Sequence, residues 1–265
     1  MLIMDSHAHI YPDAIASKAV ASIAEFYNIA MCMDGTLDTL LQTGEEAGIS
    51  RFLIHSVAIT WERVHGINDY LMQMVAEHPD RLIGFGTLHP DHPNVRGELE
   101  RIKAGGLIGI KLHPDFQRFH LDDPAAIALF RHLADLGMPL LTHTGDTRHP
   151  YSEPGRMLKA LQAVPTLKAI CAHFGGWSVW EDAWKTLAGH PNVWVDCSSS
   201  LFALTPEKAV ELIHHFGADR VFFGSDYPMW SPVEELQRVR ALSLTQREKE
   251  MILGENLEKF LKELA

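Results

Sequence analysis

One rhythm runs through this chain of 265 residues: a short apolar run, a loop, an amphipathic stretch, and then the next apolar run. The apolar runs are 2–6 (LIMDS), 52–58 (FLIHSVA), 82–88 (LIGFGTL), 107–112 (LIGIKL), 138–143 (MPLLTH), 167–172 (LKAICA), 192–197 (NVWVDC) and 220–224 (RVFFG). Each has the length of a strand, and several are rich in β-branched or aromatic residues. The segments 36–48, 66–78, 124–136, 154–163, 178–189 and 205–216 between them carry the helical period. Their ends are punctuated accordingly. Gly48, Gly137 and Gly217 stand where a glycine closes a helix, and Pro124, Pro154 and Pro206 stand at first-turn positions. His78-Pro79 and His190-Pro191 stop the helices before them. Strand alternating with helix implies parallel strands and right-handed crossovers. Eight such units, with no Gly-x-Gly-x-x-Gly turn after a strand, predict a closed (β/α)₈ barrel rather than a doubly wound sheet. A barrel takes about 250 residues, so residues 1–265 are expected to form one barrel domain. The long connection at about 10–35 is expected to be a lid-like insertion over its mouth.

Composition narrows the function. The chain is 46% hydrophobic and 22% charged, in the range of an ordinary soluble globular protein. No apolar run reaches the roughly 20 residues of a membrane span, and no signal peptide is visible. Cys32, Cys171 and Cys197 lack Cys-x-x-Cys spacing, which argues against a disulfide framework or a cysteine zinc site. A reducing cytoplasm is the expected location. A formal net charge of −11 speaks against a nucleic-acid partner, but leaves room for a small anionic substrate held by a few local cations.

In such a barrel the chemistry sits at the C-terminal ends of the strands. Asp5-Ser6-His7-Ala8-His9 ends the first apolar run, and strand alternation projects His7 and His9 to one face with Asp5 one step earlier. Lys111-Leu112-His113 ends the fourth, His143 the fifth, His173 the sixth and Asp226 follows the eighth. A metal site explains this recurrence: His7, His9, His143 and Asp226 as ligands, with His173 nearby as general base or acid and Asp226 as a second proton carrier. Three imidazoles and one carboxylate suit Zn²⁺ first, and also Mn²⁺, Fe²⁺ or Co²⁺. Such an ion would bring the pKa of a water towards about 7. His113 faces the same way as Lys111 and is expected to reach the pocket. Arg148 is the first candidate for a substrate carboxylate, with Arg118, His149 and Arg156 behind it. Trp177 is expected in an aromatic wall with Trp61, Tyr227 and Trp230, while Tyr11 and the Met31-Cys32-Met33 run belong to the lid. His89 and His92 are expected either to line the pocket or to shape a proline-rich turn, the turn being favoured for His92, and Ser198, Ser199 and Ser200 end the seventh unit. His55, His132, His214 and His215 receive no function.

These motifs, taken in order with Gly224-Ser225-Asp226-Tyr227-Pro228 and Ala172-His173-Phe174-Gly175-Gly176, resemble the amidohydrolase superfamily over essentially the whole chain. The branch they resemble is amidohydrolase-2, which includes aminocarboxymuconate semialdehyde decarboxylase. The resemblance implies a divalent metal held by His7, His9, His143 and Asp226, with one ion rather than two, and a homodimer. It gives His173 the activation of water in mononuclear members or a second metal in binuclear ones. Lys111 sits where binuclear members carry a bridging carboxylated lysine, but the favoured expectation is an unmodified lysine that binds a substrate carboxylate or pairs with a barrel acid. The leading expectation is a metal-dependent hydrolase acting on a carbonyl, amide, ester or lactone. The alternative is a non-oxidative decarboxylase of an aromatic or unsaturated acid, and a metal-free ligand-binding barrel stands behind both.

Overall fold

The computed structural model describes residues 1–264. Eight parallel strands run in sequence order: β1 (Met4–His9), β2 (Arg51–His55), β3 (Leu82–Thr87), β4 (Gly109–Leu112), β5 (Leu140–Thr142), β6 (Ala169–Cys171), β7 (Val193–Asp196) and β8 (Val221–Phe222). The ring closes where β8 meets β1. Ser6 N–H donates to Phe223 O at 2.9 Å, and Asp226 N–H to His7 O at 2.8 Å. His9 N–H then donates to Tyr227 O at 2.7 Å. The predicted barrel is therefore the fold observed.

Helices fill the crossovers: α1 (Asp13–Tyr27), α2 (Leu37–Ala47), α3 (Val64–Glu77), α4 (Val95–Ala104), the short α5 (Pro114–Gln117), α6 (Pro124–Asp135), α7 (Pro154–Ala163), α8 (Trp180–Leu187) and α9 (Pro206–Phe216). After β8 come α10 (Pro232–Ala241), α11 (Gln246–Glu250) and α12 (Asn256–Lys262). Pro124, Pro154 and Pro206 open α6, α7 and α9 as expected. Gly48 ends α2 with φ 72° and ψ 27°, the left-handed geometry that costs glycine nothing. Gly217 departs from this, with φ 91° and ψ 126°, an extended turn rather than a left-handed cap. Helix α4 was not among the predicted helices, because its sequence VRGELERIKA is more charged than apolar.

Two apolar cores hold the layers. One lies between strands and helices. The other fills the barrel itself, with Met4, Leu53, Phe85, Leu141, Trp194 and Phe222 pointing inward. Leu257 and Phe260 of α12 join it and plug the N-terminal end of the barrel. That end is packed with apolar side chains, and the polar side chains gather at the opposite, C-terminal end of the strands.

β1 departs from the simple alternation assumed from sequence. Its register against β2 shifts between Asp5 and Ala8, a bulge that adds one residue to β1. A bulge re-aims side chains. Asp5 is thereby turned onto backbone: its Oδ1 accepts from His7 N–H at 3.0 Å and from Ser225 N–H at 3.0 Å. Asp5 thus braces the β1–β8 seam instead of joining His7 and His9 at the cavity.

Gly224 sits in that seam, where an added Cβ would lie 2.9 Å from His7 Cβ and 3.2 Å from Ser198 Cβ. Both neighbours are fixed by backbone, so overpacking should cost about 1–3 kcal/mol. Gly224→Ala is expected to lower stability in urea denaturation by that amount, whereas Gly155→Ala, with open space around its Cβ, should leave it unchanged or slightly raised.

Candidate metal centre and active site

The β8–β1 seam brings the first and last polar groups together. His7 Nε2 lies 3.4 Å, and His9 Nε2 3.6 Å, from Asp226 Oδ1. The second hydrogen bond of each ring decides which nitrogen is free. His7 Nδ1–H donates to Asp196 Oδ2 at 2.9 Å, which leaves the Nε2 lone pair facing the cavity. His143 Nε2–H donates to Gly145 O at 2.9 Å, which leaves Nδ1 buried with no partner. His173 Nδ1–H donates to Ser198 O at 3.0 Å, which leaves Nε2 as its acceptor. Asp226 takes a hydrogen bond from Ser199 Oγ on its other oxygen. His173 (φ 60°) and Asp226 (φ 58°) both hold left-handed backbone, which non-glycine residues rarely adopt and which concentrates at functional sites.

Burial sets the charge of these groups. It holds His7, His9 and His143 well below the usual imidazole range, with Lys111 and neighbouring imidazoles adding to the effect, so all three are neutral lone-pair donors at pH 7. Burial pushes His173 down to about 4, against the pull of Asp196. It pushes Asp226 up to about 6, against the Ser199 hydrogen bond and Lys111. Lys111 is buried and pushed down to about 8; its Nζ lies 3.0 Å from His7 Nε2. His7 Nε2 has one lone pair, so it can serve that amine or an ion, not both.

Two groups at this floor were not singled out from sequence. Asp196 organises it: Oδ2 orients His7, while Oδ1 accepts from His173 N–H, Ser198 N–H and Ser198 Oγ–H. His55 pairs in register with His9, and its ring lies 4.3 Å from that of His9 and 4.8 Å from that of His7. It is fully buried and neither of its nitrogens has a partner among the described residues, although leaving such a group unpaired costs about 1–3 kcal/mol. Nitrogens of His7, His9 and His55 come within 4.8 Å of one another, close enough to share an ion. Little in the sequence signalled it, because His55 lies in the middle of the apolar run 52–58 and only the observed end of β2 at His55 puts it level with the other histidines.

Above the floor opens a cavity of about 1070 Å³. His7, His9, Lys111, His143, His173 and Asp226 all face it. Its other wall is largely α1, through Ile15, Ala19, Ile23 and Tyr27, with Tyr11 and Met31 on either side of the helix. His113 also lines it, stacked on His143 with centroids 4.0 Å apart and planes at 9°. Arg118 stands at its exposed rim.

Arg148 and Trp177 do not fit the roles expected of them. The Arg148 guanidinium is spent on Asp146, at 2.9 Å from Nε and 2.6 Å from Nη2, and on Phe26 O at 2.8 Å from Nη1. Its carbon lies 5.0–5.2 Å from the ring centroids of Phe26, Tyr27 and Trp177. Arg148 therefore fastens the end of α1 to the loop after β5, and Trp177 packs behind Tyr27 instead of walling the cavity. Arg156 is likewise held by Asp122 at 2.6 Å. Tyr227 is buried and its hydroxyl donates to Thr36 O at 2.7 Å, which pins the loop before α2.

Comparison with known proteins gives the family and the fold. The family model described as amidohydrolase (Amidohydro_2) matches residues 4–262. The chain belongs to the amidohydrolase family. It is 27% identical over 241 residues to 2-amino-3-carboxymuconate-6-semialdehyde decarboxylase of Dictyostelium discoideum, covering 74% of this chain and 65% of that one. It is 26% identical over 222 residues to gamma-resorcylate decarboxylase of Polaromonas sp., covering 63% of this chain and 66% of the relative. Each match thus spans just under two thirds of the relative's length. Among solved structures, a dihydroxybenzoic acid decarboxylase from Polaromonas sp., with bound manganese and the inhibitor 2-nitroresorcinol, superposes with a TM-score of 0.74 at 18% identity. That likeness covers 98% of this chain and 97% of the other. Among the described residues no helix is long and apolar enough to cross a membrane.

Because Arg148 fastens α1, Arg148→Ala is expected to speed amide hydrogen exchange in residues 20–27 by about tenfold, as loss of a charged hydrogen bond worth roughly 1.5 kcal/mol requires. Exchange in β1 and β8 should stay unchanged in the same mass-spectrometric experiment.

Proposed function

We propose that this amidohydrolase-family chain is a divalent-metal-dependent, non-oxidative decarboxylase of a small aromatic or unsaturated carboxylic acid. One observation carries the reading: the neutral His7, His9 and His143 and the carboxyl of Asp226 form the floor of a largely apolar cavity, with His173 beside them, in a chain whose two curated relatives are both decarboxylases. The hydrolase expectation loses its lead because neither relative is named for hydrolysis.

The residues fit a metal. Unpartnered lone pairs on buried imidazoles are what an ion satisfies, and the Asp196–His7 hydrogen bond is the outer-shell contact that orients a ligating histidine. His7, His9, His143 and Asp226 would hold one ion. When bound, it would supply positive charge for the substrate's anionic oxygens and for negative charge that builds during reaction. The donor set suits Zn²⁺ and Mn²⁺ alike; manganese in the solved dihydroxybenzoic acid decarboxylase supports trying Mn²⁺ first.

The remaining steps fall to side chains. His173 Nε2 is a neutral acceptor because Ser198 O holds Nδ1–H. It takes a proton from solvent or a substrate hydroxyl and passes it to the substrate carbon that bears the carboxylate. The C–H bond forms, the bond to the carboxylate carbon then breaks, its electron pair restores the unsaturation, and carbon dioxide leaves. Asp226, titrating near 6, is the second proton carrier. Lys111, whose Nζ lies 3.0 Å from His7 Nε2, would pair with a substrate carboxylate. The 10–35 segment acts as a lid, with α1 shielding the reacting carbon from water.

The test is carbon dioxide release. Mn²⁺-loaded protein, offered a panel of hydroxybenzoates and muconate-type acids, is expected to liberate one carbon dioxide per acid consumed. Turnover of esters, amides or lactones with no carbon dioxide from any acid would restore the hydrolase. His173→Asn should lower kcat by about 10²–10⁴-fold, the usual worth of a positioned proton carrier. Asp196→Asn should weaken Mn²⁺ binding by about 10–100-fold in chelator competition.

A further inference from the structure

We propose that the Tyr27 hydroxyl, carried into the cavity on α1, is a substrate-contacting group that donates a hydrogen bond to an anionic oxygen of the bound acid, with His113 as its positioning residue. The substrate class rests on the decarboxylase reading above; the donor itself rests on geometry.

The argument is one of proton bookkeeping along a short chain. His113 caps α5, and its Nδ1 accepts from Phe116 N–H at 3.3 Å. A nitrogen that accepts carries no proton, so the ring proton of His113 is on Nε2. Nε2 lies 2.6 Å from Tyr27 Oη. Nε2–H is therefore the donor and Tyr27 Oη the acceptor. The phenol keeps its own proton, and no other residue among those described takes it. Tyr27 lines the cavity, so that O–H is left for whatever fills it.

The donor is held stiffly. The His113 ring is stacked on His143, so a proposed metal ligand, the positioning imidazole and the lid phenol form one packed unit. Trp177 meets the Tyr27 ring edge-on with centroids 5.2 Å apart, and Arg148 holds the adjacent Phe26 carbonyl. The Arg148 guanidinium also lies 5.2 Å from the Tyr27 ring centroid and packs against it. A carboxylate or phenolate oxygen is the acceptor such a donor favours.

Calorimetric titration of the Mn²⁺-loaded full chain with 2,6-dihydroxybenzoate tests this. Tyr27→Phe is expected to weaken binding at least tenfold, with bound manganese and melting temperature unchanged. His113→Phe keeps the stack on His143 but removes the donor, and should weaken binding at least threefold. The double variant should bind within twofold of Tyr27→Phe, because His113 acts only through Tyr27. Binding within twofold of wild type in Tyr27→Phe would overturn the proposal and leave the decarboxylase reading standing, as would fold-losses that simply multiply in the double variant. A wild-type protein that neither binds nor decarboxylates any acid of the panel would overturn both.

Discussion

Everything at the site depends on the seam where the last strand meets the first. β8 is two residues long, too short to secure a ring by ladder bonds alone. The residues that follow it complete the closure, through Asp226 N–H to His7 O and His9 N–H to Tyr227 O. Asp5 braces the same junction by accepting from both sides of it, His7 N–H on β1 and Ser225 N–H after β8. The contacts that close the barrel are thus the ones that set Asp226 beside His7 and His9, residues separated by more than two hundred positions in sequence. Stability and site geometry rest on the same few hydrogen bonds, and Gly224 is glycine because a Cβ would press on that seam.

Around the seam, the fold sorts water from chemistry. Aromatic and aliphatic side chains, with α12 beneath them, seal the lower barrel. Polar groups gather above. Their burial is costly, and the cost appears as shifted protonation: carboxyls are pushed up, imidazoles and Lys111 are pushed down, and the neutral lone pair becomes the common currency of the floor. Asp196 limits the cost by accepting several donors at once. Helix α1 contributes the opposite wall and is tied down by the Arg148 guanidinium.

Much of this was legible in the residues. Parallel strands in a closed barrel follow from eight strand-length apolar runs with amphipathic stretches between them, and proline and glycine punctuated most helices correctly. Polar groups at strand ends face one mouth in any such barrel, so His7, His9, Lys111, His143, His173 and Asp226 could be grouped without coordinates. Helix α4 escaped because charge masked its period. Arg148 was misjudged because proximity to His143 in sequence says nothing about which way a guanidinium turns, and Asp146, two residues before it, captures it first. Asp5 was misjudged because strand alternation takes no account of a bulge.

The sequence by itself determined the repeat, the closed barrel it builds and the set of side chains that reach its open end, because these follow from local periodicity and the directions of Cβ atoms. Only the tertiary structure decided which nitrogen of His7, His143 and His173 is free, that Asp196 and His55 lie beside the cavity floor, and that Tyr27 of α1 comes within hydrogen-bond reach of His113. Those outcomes turn on hydrogen bonds between residues far apart in the chain, whose partners exist only after the ring has closed.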